Sequence, residues 1–111
     1  MERFNGDYRF EYRGPAGTGH GKVNIKDGLI SGADYTQAKY TGMGRIEDGQ
    51  FVVNFTVDFS LLPGTYSVVS GDPDEKKHTF EFPIPLDFDG VHQMDVATVN
   101  GNLWIKIIKM G

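Results

Sequence analysis

A chain of 111 residues without cysteine fits one domain, residues 1–111, that buries roughly 65% of its unfolded surface and needs no disulfide or metal staple. Its formal net charge is −4 and its 11 lysines and arginines lie singly between acids, which argues against a footprint for nucleic-acid phosphates. No apolar run approaches the ~20 residues of a membrane-spanning helix, and the start Met1-Glu2-Arg3-Phe4 is no leader peptide, so a soluble cytoplasmic protein is expected.

The first element is a half-buried strand: Asp7 to Arg13 alternates Tyr8, Phe10 and Tyr12 with charged residues, the period of two of a strand with one wet face. Gly14-Pro15-Ala16-Gly17 breaks it as a turn. The next strand runs from about Thr18 to Lys26. Its Gly17-Thr18-Gly19-His20-Gly21-Lys22 run has neither the P-loop nor the dinucleotide spacing and enters a strand, so it reads as bent strand. Asp27-Gly28, a two-residue hairpin turn, pairs Lys26 with Leu29, Ile25 with Ile30 and Val23 with Gly32.

Helix is expected at most at Tyr35 to Lys39 or within Pro85 to Gln93. Asp48-Gly49, a second such turn, opposes Ile46 to Phe51, Gly44 to Val53, Gly42 to Phe55 and Tyr40 to Val57. Glycine against bulky partners marks a sharply bent sheet. The apolar face of Phe51, Val53, Phe55, Val57 and Phe59 is the longest in the chain and predicts a central strand.

Leu61-Leu62-Pro63-Gly64 is a turn suited to plugging a barrel end, Tyr66 to Ser70 a short strand, and residues 71–77 a polar loop. His78 to Ile84 alternates Phe80, Phe82 and Ile84 with polar residues, and Pro83 assigns it to an edge or a strand end. Asn100-Gly101 is expected to oppose Thr98 to Leu103, Val96 to Ile105 and Met94 to Ile107, with Asp95 against Lys106 on the other face. Trp104 then points outward with Ala97, and with Val99 and Ile108 it makes a candidate apolar patch for a dimer or partner contact. The expected core is Tyr8, Phe10, Tyr12, Val23, Ile25, Ile30, Ile46, Phe51, Val53, Phe55, Val57, Phe80, Phe82, Val96, Leu103, Ile105 and Ile107. The fold class is therefore all-β, a single small antiparallel up-and-down barrel with at most one short helix.

Catalytic chemistry has no positive signal. His20, His78 and His92 are far apart without ligand spacing, and no zinc motif exists. Asp72-Pro73-Asp74-Glu75 and Asp87-Phe88-Asp89-Gly90 lack the full oxygen spacing of a calcium loop. Ser31, Ser60, Ser67 and Ser70 sit in no nucleophile elbow. The expectation is no enzyme, no metal and no cofactor.

Gly6-Asp7-Tyr8, Gly19-His20-Gly21, the run Lys26 to Asp34, and Tyr40-Thr41-Gly42 resemble the GrlR family, negative regulators of bacterial type III secretion, over roughly the first half of the chain. The resemblance implies a lipocalin-like barrel of about eight strands that forms homodimers and represses by capturing a transcriptional activator, without touching DNA. Members carry an acidic run after the Tyr-x-Gly strand that contacts the activator. Glu47 and Asp48 match it here, and Arg45 and Gly49-Gln50 shorten it. An alternative from the barrel alone is a carrier of one small apolar ligand, its cavity lined by Tyr8, Phe10, Tyr12, Phe51, Phe55 and Phe82.

Overall fold

A computed structural model describes residues 2–14, 17–35, 38–58, 77–98 and 101–111. A 3₁₀ turn, Glu2–Phe4, precedes β1 (Gly6–Gly14), β2 (Gly17–Lys26), β3 (Leu29–Asp34), β4 (Lys39–Glu47), β5 (Gln50–Asp58), β6 (Lys77–Pro85), β7 (Val91–Thr98) and β8 (Gly101–Lys109). These strands form one antiparallel sheet in the order β6-β5-β4-β3-β2-β1-β8-β7. Because β8 returns to pair with β1, the sheet curls into a nearly closed barrel. Its one seam lies between β6 and β7, the two ends of the ladder. Among the described residues no helix is long and apolar enough to cross a membrane.

The first two Asp-Gly hairpins have the expected register, Ile25 opposite Ile30 and Val23 opposite Gly32, then Ile46 opposite Phe51 and Gly42 opposite Phe55. Their turns explain why. Asp27 and Gly28 have φ of 51° and 84°, Asp48 and Gly49 of 51° and 77°, and two successive positive values define the turn whose twist matches paired strands.

The third hairpin corrects the expectation. Thr98 opposes Gly101, Val96 opposes Leu103 and Met94 opposes Ile105, two residues from the pairing that an Asn100-Gly101 turn requires. The competing constraint is β1, which holds β8 with Tyr12 opposite Ile105 and Glu11 opposite Lys106. Lys106 thus faces an opposite charge on β1 instead of Asp95, and Asp95 faces Trp104. A shift of two leaves each side chain on its original face, so Val96, Leu103, Ile105 and Ile107 stay buried.

All the expected core residues are buried except Ile46, which is 46% exposed. Inward parity is not enough at a strand end that runs past the wall, and Phe51 takes the space: its ring stacks on Phe4 at 4.2 Å and lies over Gly44. Phe4, Ala38, Tyr40 and Ile84 join the core instead. Pro85 to Gln93 holds no helix, since β6 runs to Pro85, a turn closes through the Phe88 N–H on Pro85 O at 3.0 Å, and β7 starts at Val91. Phe59, Leu61 to Gly64, Tyr66 to Ser70 and the loop residues 71–76 lie outside the described residues, as do Pro15-Ala16 and part of the stretch from Tyr35 to Lys39.

A Cβ at Gly44 would lie 2.1 Å from the Phe51 ring, and that ring is pinned by Phe4. Gly44→Ala is expected to cost about 1–3 kcal/mol in denaturant unfolding through overpacking. Phe51→Leu, which removes the clashing atoms, is expected to show a favourable coupling with it in a double-mutant cycle; additive effects would reject the ring-on-glycine contact.

Candidate functional site

Three regions carry the residues singled out by the sequence. The barrel interior brings Tyr8, Phe10, Phe55 and Phe82 around one apolar space together with Val23, Ile25, Ile30, Val53, Ile84 and Ile107. Phe51 is displaced toward Phe4. Tyr12 reaches away to Asp34, to which its hydroxyl donates at 3.2 Å. The residual cavity is about 20 Å³, whereas small-molecule pockets span roughly 300–1,000 Å³. Rings at close range occupy the rest, with Phe10 4.7 Å from Phe55, 5.6 Å from Tyr12 and 5.5 Å from Tyr40. An eight-stranded barrel can be filled by its own side chains, and among the described residues these rings pack closely around that space.

Beside this core sits a polar cluster that sequence reading passed over. Asp34, at the end of β3, is buried; it accepts the Tyr12 hydroxyl and, at 2.8 Å, the Ala38 N–H. The signal was present, because alternation puts Asp34 on the same face as Ile30 and Gly32. Tyr40 is fully buried and its hydroxyl makes no hydrogen bond. Tyr8 donates to the Phe4 carbonyl at 2.8 Å.

The second region is the β4–β5 hairpin, where Glu47 and Asp48 stand at an exposed tip. Arg45 holds Glu47 at 2.5 Å and reaches Glu81 on β6 at 3.4 Å, so Glu47 is partly neutralised at home. Asp48 has no ion pair among the described residues. Leu29 and Met43 oppose each other on β3 and β4, both more than 60% exposed, and Ile46 is nearby on β4. The Gly44 N–H on Gly28 O at 2.7 Å ties the neighbouring turn to this end of β4. Sequence reading did not mark Leu29 or Met43; their outward parity is the signal that identifies them.

The third region is the outer face of β8. Trp104 points outward and is half-buried, with the Arg13 guanidinium 5.2 Å over its ring. Ile108 also faces out, opposite Val91 and Arg9, but Lys106 lies between it and Trp104 on the strand. Val99 lies outside the described residues. No three His, Asp or Glu among the described residues come together as a metal site.

No protein-family model matches the chain, and no curated protein is significantly similar to it.

Burial pushes the Tyr8 phenol up to about 12. Burial also raises Tyr12, reinforced by the Asp34 charge, and raises Tyr40, reinforced by Tyr12 and Asp34. A phenol whose folded pKa exceeds its unfolded value of 10 stabilises the fold fully below pH 10, and that contribution is lost as pH rises through the folded value. Stability is therefore expected to fall steadily above about pH 10. Tyr8→Phe should flatten part of that slope; a stability curve that is level across the window in the parent protein would show that the phenols ionise freely within the fold.

Proposed function

We propose that this protein is a non-enzymatic regulator that works through protein–protein contact, resembling a GrlR-type repressor that captures a transcriptional activator. The contact is the β4–β5 hairpin. One observation supports this reading above the others: two exposed carboxylates, Glu47 at the end of β4 and Asp48 in the turn that follows, share a hairpin with Met43, which faces outward opposite the exposed Leu29. Single exposed hydrophobics are ordinary. A cluster beside like charges has the composition of a small interface, in which apolar contact supplies affinity and the charges steer a basic partner and fix its orientation.

The test is calorimetric titration with purified helix-turn-helix activators encoded beside the gene. Glu47→Gln with Asp48→Asn removes both charges while Asn keeps the positive φ that position 48 needs. Binding is expected to weaken roughly tenfold, about 1.4 kcal/mol, and Met43→Asp should weaken it at least as much, with melting curves little changed. Unaltered affinity in the charge-neutral variant would remove the hairpin from the mechanism, and failure of every candidate activator to bind would remove the reading itself.

A further inference from the structure

Outward positions on β8, β1 and β2 gather cations that are dispersed along the chain. Cross-strand rows set Trp104 beside Arg13 and Arg13 beside Thr18, Lys106 beside Glu11 and Glu11 beside His20, and Ile108 beside Arg9 and Arg9 beside Lys22. Four cations, Arg9, Arg13, Lys22 and Lys106, thus share these three rows with one carboxylate, Glu11, while Asp7 stands one row further along β1 beside Asn24, in a chain of net charge −4. Two shallow depressions of about 240 and 300 Å³ open on this wall and share Arg9 and His20; the first extends to Trp104, the second to Tyr35. Each ends on a ring with a partner already in place. The Arg13 guanidinium lies over Trp104 at 5.2 Å, and the His20 ring stacks on Tyr35 at 4.4 Å and 11°.

We propose that this face binds an extended acidic polypeptide segment of a partner protein, its carboxylates on Arg9, Arg13 and Lys22 and an apolar side chain against Trp104 or Tyr35. Charge complementarity favours an anion. The spacing of the charges favours a polypeptide over a nucleic acid, because Glu11 interrupts the cations, Asp95 stands opposite Trp104 and Asp34 borders the second depression. A continuous phosphate chain meets those acids, while an extended peptide presents same-side residues every ~6.6 Å, the two-residue period on which Arg9, Glu11 and Arg13 themselves stand. Arg13 is held by Trp104 and Arg9 is anchored through Nε to Glu11 at 2.9 Å, so both are positioned before a partner arrives and lose less freedom on binding. In the ring of strands β1 stands four away from β5 in either direction, so this wall and the acidic hairpin face opposite ways and the two contacts are independent.

Trp104 is the chain's one tryptophan and reports on this wall directly. Titration of the full chain with poly-L-glutamate at low ionic strength, where surface charge pairs are least screened, is expected to give a saturable change in its emission. Arg9→Gln with Lys22→Gln, which leaves the Arg13–Trp104 pair intact, should raise the midpoint roughly tenfold. The variant with Glu47→Gln and Asp48→Asn should bind poly-L-glutamate as the parent does, which separates this surface from the hairpin. Absence of any emission change, or equal midpoints for parent and Arg9/Lys22 variant, would overturn the proposal. Displacement of poly-L-glutamate by a tighter-binding oligothymidylate would overturn the choice of a polypeptide in favour of a single-stranded nucleic acid.

Discussion

Aromatic rings laid against bare backbone let this small sheet close on itself. A Cβ at Gly19 would sit 2.4 Å from the Tyr12 ring, one at Gly21 2.8 Å from Tyr40, and one at Gly44 2.1 Å from Phe51. Glycine at these places removes the side chain that would hold each ring off the wall, and the sheet bends around the space that is freed. The rings then meet one another across the centre, Phe10 with Tyr40 and Phe55, and Phe55 with Phe80 and Phe82. Phe4 completes the arrangement by stacking on Phe51 at one end. Curvature and core are in this sense a single interaction seen from two sides.

Among the described residues the centre is closely packed, and the charges other than Asp34 stand outside. There the alternation that sends rings inward sends charges outward, and the strand order gathers cations on one wall. Glu47, Asp48 and Glu81 stand around β4 to β6, whereas Arg9, Arg13, Lys22 and Lys106 stand on β8, β1 and β2. A protein of modest net charge thereby presents one wall rich in cations and another, from β4 to β6, where Arg45 stands between Glu47 and Glu81.

Much of this was legible in the residues, and the boundary of legibility is physical. The two Asp-Gly turns admit one geometry, so they set their registers without help from the rest of the fold. Asn100-Gly101 carries the same letters, but β8 answers to two neighbours and its pairing with β1 decides. Pro83 was readable as an edge because proline has no N–H to give, and β6 is indeed an end of the ladder. Ile46 was misplaced because periodicity says which side a residue faces and not whether anything stands there. The gathered cations were invisible along the chain, since Arg9 and Lys22 meet across the β1–β2 hairpin and Lys106 joins them only once β8 returns to β1. Asp34 was readable and went unread, an acid in an inward position that a buried tyrosine satisfies.

The seam gives the molecule a direction of weakness. Every other pair of adjacent strands is stitched by backbone hydrogen bonds, while among the described residues β6 and β7 share no ladder. Prolines at 83 and 85 leave gaps in the donors along β6, which discourages foreign strands from adding to that margin. Along that line the cylinder can part without breaking a described ladder, and the buried side chains that border it are Phe80 and Phe82 on β6 and Val96 on β7.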